Sequence, residues 1–333
     1  MESRATFLAQ LRYRFADIPE VVSFVSLLTL FIFFSIAAGN FLTPMSIANI
    51  LTFASITGIV VIGVSILMIA GEFDLSVGSN FAVASYVFVL SLKAGMNPIL
   101  SMLTALLVSA GFGLINGLIV TRTGIPSFIT TLGTMLAYRG IARAIGSGTF
   151  ATYTGAPPAL FGVLNAPLDA INQLFNPAST LRVSIFWFIL IAIVMQVILR
   201  RTRYGNWIFA TGGNPGAALS QGVPTKWVKV SAFVLVGLLT GFASVIQLAY
   251  RLSVDPLRGV GMELIAVAAC VIGGAQLSGG YGSVLGACVG MLLIQMLEQG
   301  LVLMHLPIEI FQAVTGLILI IAVISNTYLS GQK

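Results

Sequence analysis

Few residues in this chain are able to do chemistry, and their spacing excludes most reactions. There is one histidine, His305, and no Ser/His/Asp set can be built around it. It stands alone near a helix end and is read as an interfacial or packing residue. Cys270 and Cys288 sit inside apolar runs without metal-ligand spacing, so both are read as packing residues. No Gly-Lys step occurs, which removes the GxxxxGK[ST] phosphate loop, and there is no HExxH. The expectation is a chain that is not an enzyme, binds no metal and carries no cofactor directly.

What remains is a set of acidic and polar residues inside apolar sequence. A charge at the bilayer centre costs about 2.5–3.5 kcal/mol or more, so such residues point to paths and gates. Glu72, Asp74 and Ser76 lie in GEFDLSVGS at 71–79. Both carboxylates are expected at the inner ends of two spans, where water reaches. Asp74 is placed to cap the following helix, or to serve gating or solute passage. Asn116, Gln247 and Gln295 lie within spans. They would line a hydrated path for a polyhydroxyl solute or bond between helices. Glu263, Glu298 and Glu309 fall near outer ends. No chain of buried carboxylates is apparent, which counts against a carrier driven by protons or sodium.

The elements that must position these residues follow from composition. The 333-residue chain is 58% hydrophobic and only 8% charged. Soluble domains carry about 25% charged residues, so this is an integral membrane protein. The net charge of +6 comes from basic residues scattered between apolar spans. No basic face for nucleic acid results, and positive-inside bias explains the excess. A spanning helix takes about 20 mostly apolar residues. The expected fold is all-α and polytopic, with about ten transmembrane helices and both termini cytoplasmic. The spans are 21–39, 47–70, one ending near 92, 99–121, 128–145, 183–199, 228–250, 262–274, 284–303 and 308–325. Residues 1–20 form an amphipathic leader on the inner surface, and 21–333 one transmembrane domain. This arrangement leaves more of the 16 Lys and Arg inside than outside. Residues 146–182, rich in proline, become a packed outer cap, and 200–225 a cytoplasmic loop that carries a short helix capped near Asn214.

Glycines recur at four-residue spacing within spans, at Gly113 and Gly117, Gly237 and Gly241, and Gly282, Gly286 and Gly290. Such rows let helices approach closely in lipid. There is also a faint internal echo. Residues 71–78, GEFDLSVG, and 273–280, GGAQLSGG, share two glycines and a Leu-Ser step in register. Interrupted helices in corresponding places are a mark of duplicated transporter folds.

Four segments carry a resemblance: GEFDLSVGS at 71–79, IPSFITTLGTMLAYRGIARA at 125–144, RTRYGNWIFATGGNPGAALSQGV at 201–223 and VIGGAQLSGGYGSVLGACVG at 271–290. Together, in order, they resemble the ribose-type permeases of bacterial ABC sugar importers. The resemblance implies an inner-membrane pore of two permease copies or related chains. It also implies a cytosolic ATPase that holds the ATP and magnesium, and a periplasmic sugar-binding protein. By the same resemblance the 200–222 segment is the loop that meets the ATPase, with Arg203, Gly205, Thr211, Gly212, Gly213, Asn214, Ala217, Ala218 and Gly222 as its site residues. Glu72 departs from a glycine common in relatives, and Gln276 from a small hydroxyl residue. Alternative readings are an ABC permease for nucleosides or branched-chain amino acids, or an ion-coupled secondary carrier.

Overall fold

The computed structural model describes residues 19–175 and 179–307, then 310, 311, 313–317 and 320. Nearly all of the expected leader, most of the span expected at 308–325, and Glu309 lie outside the described residues.

The chain is read by its punctuation. Helix α1 is Pro19–Ala37, α2 Pro44–Ile69, α3 Val77–Lys93, α4 Pro98–Thr123 and α5 Ser127–Ile145. Prolines open α2 and α4, where a missing N–H costs nothing. The preceding Thr43 and Asn97 side chains accept from Ser46 N at 3.3 Å and Ile99 N at 2.9 Å. Gly124, at φ 74°, ends α4. Short helices α6, Ala159–Asn165, and α7, Asp169–Asn172, follow. Then come α8 Ser184–Arg201, α9 Arg203–Gly213, α10 Pro215–Ser220, α11 Thr225–Arg251, α12 Met262–Ile272 and α13 Val284–Leu303.

Five of these, α2, α4, α8, α11 and α13, are long and apolar enough to cross a membrane. Apolar stretches within α1, α3 and α12 are shorter. The 19-residue α5 is not among the five; Arg139, Arg143 and its glycines and threonines lower its hydropathy.

Helix α2 is the axis of the bundle and is buried along most of its length. It packs against α8, α11, α12 and α13. Helices α4 and α5 lie at the periphery. Leu107 on α4 is 71% exposed and Leu136 on α5 66% exposed. Apolar faces of that kind belong in lipid or against another chain.

The bundle has two ends. One holds α9 and α10 and is called the arginine end below. The other holds a departure from the all-helical expectation: β1, Ala151–Thr152, pairs antiparallel with β2, Ser253–Val254. This ladder end is closed by Phe161 and Leu164, buried in α6. Tyr86 Oη donates to the Thr149 carbonyl at 2.7 Å there. Helix α1 starts toward the arginine end, where Ser23 Oγ donates to the Ile272 carbonyl at 2.7 Å.

The glycine rows make seams. Side chains added at Gly113 or Gly237 would strike the Phe233 and Ser109 carbonyls, so α4 and α11 touch backbone to backbone. Ser109 Oγ donates across this seam to Gly237 O at 2.6 Å. Gly286 and Gly290 make the corresponding seam between α13 and α12.

Candidate functional site: two helix breaks and the junction beside them

The chain leaves helical geometry inside the bundle twice, at 70–76 between α2 and α3 and at 273–283 between α12 and α13. These are the two segments that echo each other in sequence. Non-helical backbone at such depth needs a partner for each N–H, because lipid offers none. Helix α5 supplies two at the first break. Phe73 N donates to Ser127 Oγ at 3.0 Å and Leu75 N to Thr131 Oγ1 at 3.1 Å. Residues four apart share a helix face, so one side of α5 serves as a rail for the break.

Asp74 holds the same break from within. Its Oδ1 accepts from Ser76 N at 2.8 Å and Ser76 Oγ at 2.6 Å. Asn116 Nδ2, on α4, donates to Asp74 Oδ2 at 3.3 Å and Ser76 Oγ at 2.9 Å. Tyr138 Oη, on α5, donates to Asn116 Oδ1 at 3.2 Å, and its ring stacks on Phe112 at 3.9 Å. This corrects two expectations. Asp74 is only 2% exposed, so water does not reach it. A buried carboxylate therefore does exist, and it is held by local donors rather than in a relay. Nor does Asp74 cap α3 in the expected way, since its N–H partner is Ser76, the residue before the helix.

Glu72 stands two residues earlier and is 7% exposed. Lys229, one turn into α11, donates to its Oε1 at 2.5 Å. Beside the pair lies a cavity of about 300 Å³, lined by Glu72, Thr121, Pro215, Thr225, Lys226 and Lys229 together with the α4–α5 turn.

The second break uses tight turns. Gly279 and Gly280 take φ values of 82° and 72°, open to glycine at little cost. Gln276 N donates to Tyr281 O at 3.1 Å. Gln196 of α8 accepts from Val284 N at 3.1 Å, at the entry to α13.

The arginine-rich segment meets both breaks. The short helix expected near Asn214 is present as α10, the residues before it form α9 where only a loop was expected, and α9 follows α8 with only Thr202 between. Thr202 Oγ1 accepts from Gly205 N at 3.2 Å, and a side chain at Gly205 would strike the Leu199 carbonyl. Arg203 is exposed, while Thr211 and Gly212 are buried. A Cβ on Gly212 would collide with the Ile69 carbonyl and lie 2.6 Å from Gly280 N. Gly280 N itself donates to Ile69 O at 2.8 Å. A Cβ on Gly279 would lie 2.7 Å from Gly71 Cα. Three backbones, from α2, α9 and the second break, thus meet without side chains between them. Past Gly213, the Asn214 side chain accepts from Ala217 N at 3.0 Å and starts α10. Ala218 faces inward at 5% exposure. Gly213, Asn214, Ala217, Leu219 and Gly222 face out. Gly222, at φ 81°, turns the chain toward α11.

Glu72, Asp74, Ser76 and Asn116 are brought together; Gln247 and Gln295 are not. Gln247 is 18 residues along α11 from Lys229, about 27 Å at 1.5 Å per residue. Gln295 Nε2 donates to Glu298 Oε2 at 2.9 Å, a bond within α13.

A family model described as branched-chain amino acid transport system / permease component matches residues 46–323. The chain belongs to that family. It is 33% identical over 306 residues to the ribose import permease protein of Bacillus subtilis (strain 168), covering 90% of each chain. It is 33% identical over 311 residues to the L-arabinose ABC transporter permease protein of Azospirillum brasilense, covering 92% of this chain and 87% of the relative. The autoinducer 2 import system permease protein of Yersinia enterocolitica is 31% identical over 302 residues, 90% of this chain and 80% of its own. No solved structure matches. Both breaks, the arginine-rich segment and the cavity lie inside the matched permease region.

The sequence reading missed Lys229, Ser127, Thr131 and Gln196. Lys229 carried a usable signal, being a charge one turn inside an apolar run. The other three are ordinary polar residues of membrane helices, and nothing local marks them.

Proposed function

We propose that this chain is the membrane-spanning subunit of an ATP-driven importer in the bacterial inner membrane, and that it carries a monosaccharide. A periplasmic binding protein delivers the sugar, and a cytosolic ATPase, which holds the ATP and magnesium, drives its release inward. Two permease chains, identical or related, make the pore. The arginine end is cytoplasmic, in keeping with positive-inside bias. Residues 146–182 face the periplasm, and about ten spans return both termini to the cytosol. The cargo is inferred from the ribose and arabinose relatives, since the family description alone names amino acids.

The observation that carries the mechanism is the close backbone contact of Gly212 with Ile69 and Gly280. Helix α10 presents Ala217 and Leu219 outward, a short ledge for a partner's groove. A push on this ledge passes through α9 to both helix breaks at once. Packed elements move as rigid bodies, so the push tilts the segments around the breaks and changes which end of the path is open. Weak solute contacts suffice, because the binding protein supplies selectivity.

The test is uptake in vesicles that hold this chain, its ATPase and the binding protein, with labelled pentoses and hexoses. The expected result is ATP-dependent uptake of one sugar, lost without the binding protein. Uptake that follows an ion gradient and ignores ATP overturns the reading. Cysteines placed at Ala217 or Leu219 are expected to crosslink to the ATPase; none doing so in assembled membranes removes the docking role.

A further inference from the structure

We infer that the face built by the outer half of α5 and residues 255–264 is where a second copy of this chain packs, with the helices crossing at Gly140. The inference rests on the importer reading for the presence of two permease chains; that reading does not say which face they share.

Helix α12 has 11 residues, about 16 Å at 1.5 Å per residue, half of a hydrocarbon core of about 30 Å. It leads into the second break, at the arginine end, so its start lies near mid-membrane. The chain comes down to that start from β2 through residues 255–261, which are not helical. There Gly259 is pressed on the first turn of α3, since a Cβ on Gly78 would strike the Gly259 carbonyl. Arg139 of α5 holds the descent. Its Nη1 donates to Pro256 O at 2.9 Å and to Arg258 O at 2.8 Å. Arg258 Nη2 pairs with Asp255 Oδ2 at 2.9 Å, and Glu263 Oε1 accepts from Gly261 N at 3.2 Å. Irregular backbone and ionised side chains at this depth border protein or water, not lipid.

The other outer faces differ. Between their ends, the exposed residues of α1, α4 and α8 carry no charge among the described residues. Ile32, Leu107 and Ile193 are typical of them, and such faces suit lipid. Water alone does not suit the charged face either. Leu257, Val260 and Leu264 are each more than half exposed there, and so is Leu136 of α5. Apolar surface of that kind is driven out of water, so protein covers it.

Helix α5 says what sort of protein. Ala137, Gly140 and Ala144 share one side of it and are exposed, and a Cβ on Gly140 would meet nothing within 4 Å. By contrast, Gly113, Gly237 and Gly290 already touch the backbone of a neighbouring helix. Small residues are where helices approach closely in lipid, so this row takes a helix from outside the chain. The patch holds both signs of charge, with Arg139 and Arg143 against Asp255 and Glu263. It is therefore able to pair with itself about a two-fold axis, as identical subunits do. A patch of one sign would repel its own copy.

The test is crosslinking in membranes that hold the chain with its ATPase. Cysteine replaces Leu136, Gly140 or Val260, one at a time, with Leu107→Cys on α4 and Ile193→Cys on α8 for comparison. Both natural cysteines are buried. A short bis-maleimide is expected to give a covalent pair of twice the chain mass from Gly140→Cys, at a yield at least fivefold above that from Leu107→Cys or Ile193→Cys. Adding Gly140→Leu to Leu136→Cys is expected to lower its yield of pairs at least fivefold. Adding Gly133→Ala, about 10 Å further along α5 and clear of the crossing, is expected to leave that yield within twofold. Pairs from Leu107→Cys or Ile193→Cys but not from the patch, or pairs from no position, overturn the face. A product joined to a different chain overturns the second copy as its occupant. The crosslinks form without ATP or sugar, so they are read apart from the importer reading. Pairs through the patch with uptake that ignores ATP sink the importer and keep the interface; ATP-driven uptake without such pairs does the reverse.

Discussion

Asp74 is a carboxylate whose bonds go to its own turn and to one neighbour, Asn116. Its work is to hold a non-helical segment in place. Removing a donor leaves a buried charge short of a partner, at about 1–3 kcal/mol. Asn116→Ala is therefore expected to lower thermal stability in detergent by that amount. Asp74→Asn keeps the shape and an acceptor and is expected to cost less; equal losses would show that the charge itself, not the acceptor, holds the break. Thr131→Val takes away the acceptor for Leu75 N and is expected to cost about 1–3 kcal/mol as well. Asn116 was read from the sequence as a residue that bonds between helices, but its partners and the role of Asp74 were not legible there. Asp74 follows an apolar run and a glycine, which reads as a wet helix end. That the chain turns back into the bundle is decided by partners 42 residues away at Asn116 and 54 or more at Ser127 and Thr131.

At the scale of elements, local punctuation told most of the story. Helix α13 occupies the expected 284–303, and α2, α4 and α11 differ from expectation by a few residues at their ends. Proline at entry, glycine at exit and arginine at the rim are signals that need no tertiary context. In the segment 200–222 the short helix expected near Asn214 is α10, while α9 went unread because of its glycines. Gly205 and Gly212 are there for closeness, not looseness, since each lies against a carbonyl of another helix. This gives a paired prediction. Gly212→Ala has to move Ile69 or Gly280, and such overpacking costs about 1–3 kcal/mol. ATP-coupled uptake is expected to fall at least tenfold while α10 still reaches the ATPase in crosslinking. Gly133→Ala, on α5, meets nothing within 4 Å and is expected to leave uptake and melting unchanged. If the two substitutions behave alike, the backbone junction carries no force.

At the scale of the whole molecule, the bundle is centred on α2 and thins toward α4 and α5, whose apolar residues point outward. The membrane class was legible from composition alone. The number of spans was less so: a span ending near 92, 128–145 and 262–274 were read from the sequence, yet α3, α5 and α12 are shorter or more polar than the five long apolar helices and are kept in the bundle by their neighbours. Sidedness has a direct check. A cysteine at Phe150, 71% exposed at the ladder end, is expected to label only from the periplasm, and one at Arg203 only from the cytosol. The reverse pattern would invert the topology. The ladder end also has a consequence for biosynthesis. Ala151 pairs with Val254, and α6 packs on α11. The first partner of each leaves the ribosome long before the second. The cap over α3 therefore stays unfinished until α8 to α11 have been inserted, and a chain stalled before that stage displays α6 without the α11 surface it packs on. Closure of one short ladder thus marks the moment at which the bundle has been threaded to its seventh long helix.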